Sequence, residues 1–403
     1  KKYILIILCC LTSFPLWSYN VNMIVEHYSV DQGLPNNTVN CTLKDRDGFI
    51  WFGTWYGLCC FDGVKFKTFN KQEHDSDVPP RKIQRIVEDK NGYIWVKTID
   101  RKLYVFNKVT ECFHAVYDDM KNYSENIQVI KLQNTAEGDV LLLTKDKNLL
   151  LAGVDEKGQV TIKILFDSRN EINKHDYTLK HHVLCETEEY ISWIGTDYKV
   201  AAVHKGSELA SRPADFITSK INSGDKDSFT SFFEDGRKIW VGDRAGIFYS
   251  IDVRTGLVNR YVLSEIKGAI SNLLVTPAGY VYLSVAGQGT YEYDLAERRL
   301  QKINTEMNDA MVTHAFIDQY DKIWFHENEK ALIYYDPLNH TAKRFPFTMF
   351  GKITTLYSED AGERGLFFLS PAGEAWLFDR EHAEMVYINK LKQLSNDRAN
   401  QQF

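Results

Sequence analysis

A short aromatic hairpin that recurs in eight copies limits what this chain can fold into more than any other feature. The clearest copy is Asp45 to Asp62, DRDGFIWFGTWYGLCCFD. It reads as a polar turn (Asp45, Asp47, Gly48), a strand from Ile50 to Thr54, a second turn and a return strand from Leu58 to Phe61. Asp62 and Gly63 then turn the chain into a further strand, Phe66 to Phe69. The echoes DKNGYIWVKT, EGDVLLLT, EEYISWIGT, EDGRKIWVGD, PAGYVYLSVAG, YDKIWFHE and AGERGLFFLSPAG put Trp95, Leu141, Trp193, Trp240, Tyr282, Trp324 and Phe367 at the position of Trp51. Successive intervals are 44, 46, 52, 47, 42, 42 and 43 residues. A unit of about 45 residues holds four strands of roughly 5–6 residues and four short connections, which is the size of a propeller blade. The expected fold is all-β, a β-propeller of four-stranded blades.

Within a blade, strand A carries the alternation Val39, Cys41, Leu43, strand B the tryptophan, strand C the return, and strand D Phe66 to Phe69. Alternation sets Ile50 and Phe52 on one face of strand B and Trp51 on the other. Both faces of a blade pack on neighbouring blades, so aromatics on both sides are a core requirement. By length alone, 403 residues suggest two or three domains. Stacked blades share a continuous core, and the repeat overrides that expectation. A net charge of −6 and the absence of a basic block give no electrostatic footprint for nucleic acid, which is excluded as a partner.

Lys1 and Lys2 precede the apolar run Tyr3 to Leu11, which is too short to span a membrane, and Ser18, Tyr19 and Asn20 form a polar exit. Residues 1–18 read as a secretory signal peptide cleaved near Ser18. Leu8 stands before Cys9 where lipidation needs a small residue. Beyond the signal lie Cys41, Cys59, Cys60, Cys112 and Cys185, an odd number without CxxC or Cys/His spacing. Buried free thiols are expected, with one disulfide left open. The DRDG turn resembles the start of a calcium loop, but its twelfth residue is Tyr56 rather than an acid. No metal or cofactor is expected.

The A–B turns are stereotyped, whereas the B–C and D–A connections vary and emerge together on the opposite face. A scaffold with variation confined to one face is how propellers carry binding sites. That face offers Trp55, Tyr56, Arg101, Tyr198, Asp243, Arg244, Gln288, His326 and Glu327 as candidate ligand-binding residues. Aromatic platforms with planar donors and acceptors suit a sugar; the plainer alternative is that these are solvated loop residues. No GxSxG, HExxH, phosphate-loop or dinucleotide motif is present. Asp243 and Glu327 could serve as a glycosidase pair only at a set separation, which sequence does not give. The chain reads as non-catalytic, with a propeller enzyme acting on polysaccharide or a cyclic peptide as the alternative.

The stretch GLPNNTVNCTLKDRDGFIWFGTWYGLCCFDGVKFKTF, Gly33 to Phe69, resembles the two-component regulator propeller repeat. It is similar to the start of the periplasmic sensor region of hybrid two-component systems from glycan-degrading gut bacteria. NGYIWVKT and RKIWVGDRAGIF fit the same repeat well, and later copies fit in outline. The resemblance implies tandem seven-bladed propellers followed by a β-sandwich, a membrane helix, a histidine kinase, a receiver and a DNA-binding module. It further implies an oligosaccharide ligand, a periplasmic location, control of polysaccharide-utilisation genes and a homodimer formed through the full-length sensor. Membrane attachment and kinase activity would then belong to regions beyond this chain. Family ligand contacts lie in variable loops, so no site residue is carried over. The expected division is a signal peptide at 1–18, a seven-bladed propeller at 19–355 and an extra blade at 356–403 opening a second propeller. The alternative is eight blades in one ring. Met23 to Ser29 is available as the strand that completes a last blade.

Overall fold

The computed structural model describes residues 28–69, 80–121, 123, 128–168, 179–195, 200–206, 214–215, 229–303, 312–327, 330–350, 357–360, 365–370 and 374–390. The signal-peptide segment, most of the expected closing strand, much of the D–A connections and Tyr198 lie outside these residues. The chain divides into two compact units. One comprises His27–Glu327 and Tyr335–Ala342, the other Lys1–Glu26, Asn328–Tyr334 and Lys343–Phe403.

Eight four-stranded sheets account for the described strands, each ordered A-B-C-D along the chain. They cover 39–69, 83–115, 129–166, 179–215, 229–262, 270–302, 312–346 and 357–390, numbered here as sheets 1 to 8. Pairing is antiparallel throughout sheet 1, where strand B (Ile50–Thr54) lies between strand A (Val39–Lys44) and strand C (Gly57–Phe61), and strand D is Phe66–Phe69. These bounds fall within one residue of those read from the sequence. In the first unit the A strands of sheets 1 and 2, 2 and 3, 5 and 6, and 6 and 7 lie beside one another. Successive meanders that meet along their first strands are the arrangement of a β-propeller.

Cores form between consecutive sheets. Trp51, Leu58 and Phe69 of sheet 1 pack with Ile83, Ile86, Ile94, Val96, Tyr104 and Phe106 of sheet 2, and comparable clusters join sheets 2 to 3, 3 to 4, 4 to 5 and 5 to 6. In the second unit, Phe378 packs on Tyr334 at 4.7 Å, and Trp376 packs on Phe350 at 5.1 Å and on Tyr387 at 4.8 Å between ring centroids.

The turn and the tryptophan are one structural device. Asp45 Oδ1 accepts from the amides of Asp47 and Phe49, closing the A–B turn, while Oδ2 accepts the indole N–H of Trp51 at 2.8 Å. Trp95 donates to Asp89 and Trp240 to Asp235 at the same 2.8 Å, and Trp324 to Asp318 at 3.4 Å. Where threonine takes the aspartate position at Thr135 and Thr276, the partner is Leu141 or Tyr282, and Tyr282 sends its hydroxyl to Glu292 at 2.8 Å.

A second recurrent contact runs from sheet to sheet. The A strands of sheets 1, 5 and 6 bulge near their start, between Val39 and Cys41, Phe229 and Ser231, and Ile270 and Asn272. The bulged residue reaches the next sheet: Asn40 donates to the Ile83 carbonyl at 2.7 Å, Thr230 to Ile270 at 2.7 Å and Ser271 to Val312 at 3.3 Å. Those same isoleucines come so close that a Cβ on Gly53 would lie 2.6 Å from Ile83, and one on Gly242 2.8 Å from Ile270.

Lys108 ties sheets 1 and 2 on the A–B side. Its ammonium lies 3.0 Å from Asp45, 2.9 Å from Asp47 and 2.7 Å from Glu88. The two aspartates of the DRDG turn, which resembles the start of a calcium loop, thus surround an amine together with Glu88. Burial works against the Lys108 charge, but the three carboxylates outweigh it and hold its pKa above the ordinary lysine value. Cys41, Cys59, Cys60 and Cys112 are free thiols, and burial pushes Cys41, Cys59 and Cys60 up to about 11, 12 and 11.

Burial alone would raise the Asp45 carboxyl, but the Trp51 indole, Lys108 and the Phe49 amide hold it below its ordinary value. A carboxyl held low contributes stability that is present above about pH 4 and lost as pH falls through its folded-state pKa. Urea unfolding of Asp45→Asn should therefore show a shallower loss of stability below about pH 4 than the parent. Trp51→Ala should cost about 3–5 kcal/mol at neutral pH, the range for large aromatic truncations in cores. A loss under about 1 kcal/mol would mean that Trp51 is not core.

Candidate ligand-binding site

Four of the B–C turns, those of sheets 1, 2, 3 and 5, follow one local rule. A side-chain oxygen at the end of strand B accepts a turn amide: Thr54 from Tyr56 at 3.2 Å, Thr98 from Lys102 at 3.1 Å, Thr144 from Asn148 at 3.0 Å and Asp243 from Ala245 at 2.9 Å. The residue three places on is left-handed. Glycine fills it at Gly57 and Gly246, but Arg101 and Lys147 fill it with φ of 68° and 70°. An L-residue there costs about 1–2 kcal/mol. Two cationic side chains are thereby carried at strained positions of neighbouring sheets.

Backbone bonds join these turns into a rim. Lys82 N donates to Trp55 O at 2.9 Å and Ile99 N to Lys82 O at 2.9 Å, connecting the turns of sheets 1 and 2. Val129 N donates to Arg101 O at 3.0 Å and Lys145 N to Gln128 O at 2.8 Å, continuing to sheet 3. Along the rim, Trp55 is half-buried with the Lys82 ammonium 5.3 Å from its ring, and Tyr56 is 66% exposed. Arg101 lines a depression of about 160 Å³ with Tyr104, Tyr117, Met120 and Gln128.

Beneath Arg101 lies Lys97, buried on strand B of sheet 2 and bonded to Gln84. It stands where sheets 1, 4 and 5 carry Gly53, Gly195 and Gly242. Burial first, and the Arg101 charge second, hold the Lys97 pKa below the ordinary lysine value; burial lowers Lys147 as well. Lys97, Arg101 and Lys147 make no ion pair with any described residue. Among the described residues the rim thus carries cations without an ion-pair partner together with aromatic rings.

The other expected site residues fall elsewhere. Asp243 is buried and holds its turn through Oδ1, with Oδ2 buried and without a hydrogen bond to any described residue; burial raises its carboxyl. Its neighbour Arg244 is exposed. Gln288 clamps the sheet 5 to sheet 6 connection, accepting from Lys267 N at 2.7 Å and donating to Glu265 O at 3.0 Å. His326 shares a 2.9 Å hydrogen bond with Thr313, and burial, then His314, lowers its pKa. Glu327 is buried. Tyr198 lies outside the described residues. The structure therefore gathers Trp55, Tyr56 and Arg101 on one rim and gives Asp243 and Gln288 turn-holding duties. Sequence reasoning missed Lys97 and Lys147. The signal for Lys97 was a lysine at a glycine position of the repeat, and for Lys147 its place in the turn matching that of Arg101.

The eight sheets define the class of protein as a β-propeller. Within that class, residues 33–56 match the two component regulator propeller family. No curated protein matches the chain. Among solved structures, the chain is similar to the extracellular domain of the putative one component system BT4673 from B. thetaiotaomicron, at 14% identity and a TM-score of 0.39, covering 89% of this chain and 61% of that one. It is also similar to the extracellular domain of the putative hybrid two component system BT3049 from B. thetaiotaomicron, at 15% identity and a TM-score of 0.39, covering 92% and 55%. Virginiamycin B lyase from Staphylococcus aureus aligns at 10% identity and a TM-score of 0.35, covering 82% and 90%. The chain thus spans under two thirds of the BT4673 and BT3049 domains. No described helix is long and apolar enough to cross a membrane.

A buried lysine whose charge is disfavoured in the folded state binds its proton more readily when unfolded. Stability then rises with pH from the folded-state pKa up to the unfolded value near 10.5. Lys97→Met should remove that rise and stabilise the fold at neutral pH by about 1 kcal/mol, the scale of one buried polar group. Denaturant unfolding from pH 7 to 10 checks both effects, and an unchanged alkaline slope would contradict the burial of the charge.

Proposed function

We propose that this chain is the ligand-sensing propeller of a hybrid two-component regulator, exported to the periplasm, and that it binds an oligosaccharide bearing an acidic sugar without turning it over. The observation that carries this reading is that Arg101, Lys97 and Lys147, none ion-paired with a described residue, belong to the same rim of sheets 1 to 3 as Trp55, Tyr56 and Tyr117. The regulator-type repeat at 33–56 supports the sensor role. Aromatic rings cover the apolar faces of a sugar, and guanidinium matches a carboxylate or sulfate with paired donors. A ligand can shift a sensor only through different affinities for two of its arrangements. Signalling to polysaccharide-utilisation genes is assigned to a full-length dimer.

The test is calorimetric titration of the chain from Tyr19 onward with acidic oligosaccharides (oligogalacturonides and chondroitin disaccharides) and neutral ones (malto- and xylo-oligosaccharides), with products followed by chromatography. Saturable binding to one acidic class without breakdown is expected. Trp55→Ala and Arg101→Gly should each weaken it by about tenfold, the scale of one lost charge-assisted or stacking contact; Trp55→Ala should change stability by less than about 1 kcal/mol, and Arg101→Gly, which relieves the left-handed strain, should not lower it. Binding confined to neutral sugars would overturn the acidic assignment, and product formation would make the protein an enzyme.

A further inference from the structure

On the A–B side of the first unit, away from the rim just described, a cavity of about 370 Å³ opens between sheets 6 and 7. Its walls include Pro277, Ala278, Tyr280 and Tyr320, with Leu338 at its mouth. Its base is Glu292 on strand C of sheet 6, only 4% exposed. A carboxylate at that depth is costly unless paired and hydrogen-bonded.

Half of that requirement is met. Glu292 Oε2 accepts the Tyr282 hydroxyl at 2.8 Å and the Tyr335 hydroxyl at 3.2 Å. Tyr335 in turn lies 3.2 Å from His340 Nδ1. A carboxylate only accepts and each hydroxyl has one proton, so the donors run from His340 through Tyr335 to Glu292, with Tyr282 arriving from the other side. Burial and then the neighbouring carboxylate keep both tyrosines protonated, as this chain of donors requires.

The other half is open. Oε1 makes no hydrogen bond with a described residue, and the nearest basic group is the His340 imidazole at 3.9 Å. Oε1 is also not among the buried polar atoms sealed from solvent, so it faces the cavity. Lys322 and Arg299 also line the cavity; Lys322 lies 2.7 Å from Asp336, and the exposed Arg299 lies 3.5 Å from Glu297. A single buried negative charge, one saturated oxygen, one open oxygen and tyrosine rings around the opening form a receptor for a positive group.

We propose that this cavity is a second ligand site, which takes a small organic ammonium: the charged nitrogen binds Glu292 Oε1 and its body lies against Tyr280, Tyr320 and Leu338. The site is independent of the rim reading, since it shares no residue with it.

Glucosamine and benzylamine, with N-acetylglucosamine and benzyl alcohol as their uncharged counterparts, are the probes for calorimetric titration of the intact chain. Both amines should bind saturably, and each uncharged counterpart at least tenfold more weakly. Glu292→Gln, which keeps the shape and both tyrosine contacts, should weaken amine binding at least tenfold while leaving the acidic-oligosaccharide titration unchanged. Leu338 is 84% exposed, so Leu338→Glu and Leu338→Lys alter the charge at the mouth without touching the core. They should tighten and weaken amine binding respectively, and they decide the matter if Glu292→Gln fails to fold. Absence of amine binding, equal binding of the uncharged counterparts, or identical behaviour of the two Leu338 variants overturns the assignment.

Discussion

The hydrogen bond from a tryptophan indole to a turn aspartate is the interaction on which the rest of the architecture depends. A large ring between two sheets supplies the apolar area that a four-stranded unit cannot bury by itself, but its N–H must be satisfied. Leaving it unpaired would cost about 1–3 kcal/mol. Asp45 resolves this by using one oxygen for the turn amides and the other for Trp51, so that turn shape and core packing are specified by one side chain. The substitutions along the chain obey the same constraint. Leu141 has no N–H to satisfy and pairs with Thr135, and Tyr282 finds Glu292 instead. Thr187 with Trp193 departs from the pattern, combining a threonine turn with a tryptophan.

Once that device places the sheets, their close approach explains other choices. The bulged polar residue of one A strand bonds the first carbonyl of the next, and the isoleucine there comes so near that Gly53 and Gly242 have no room for a side chain. Sheet 2 departs at Lys97, and the departure has chemical content: it puts an amine beneath the B–C rim. The strained Arg101 and Lys147 add to it. Strain of this kind persists where surrounding structure enforces it and often marks a working surface. The A–B side answers a different need, with Lys108 among three carboxylates binding sheet to sheet.

Much of the fold was legible because its signals are local. The Asp-Gly turn, the tryptophan and the strand alternation all fall within one hairpin, and the repeat interval gave the strand count of the unit. The site was legible only in part. Trp55, Tyr56 and Arg101 were legible as residues of one rim because varied turns share one face, a consequence of connectivity alone. Asp243 and Gln288 look the same in sequence but are occupied by turn and loop bonds that only three-dimensional placement reveals. Lys97 was passed over because a lysine inside a strand reads as a solvent-facing residue until its neighbours are known. Glu292 was invisible for a similar reason, since its partners Tyr282 and Tyr335 come from two different repeats.

The central claim is that ligand meets the protein on the B–C rim of sheets 1 to 3. Hydrogen–deuterium exchange of the chain at saturating acidic oligosaccharide tests it most directly. The account predicts slower exchange at 54–57, 97–103, 128–129 and 144–147, with the A–B turns at 45–48, 89–92 and 135–138 unchanged. Protection confined to those A–B turns, or saturable binding that leaves the rim untouched, would contradict it.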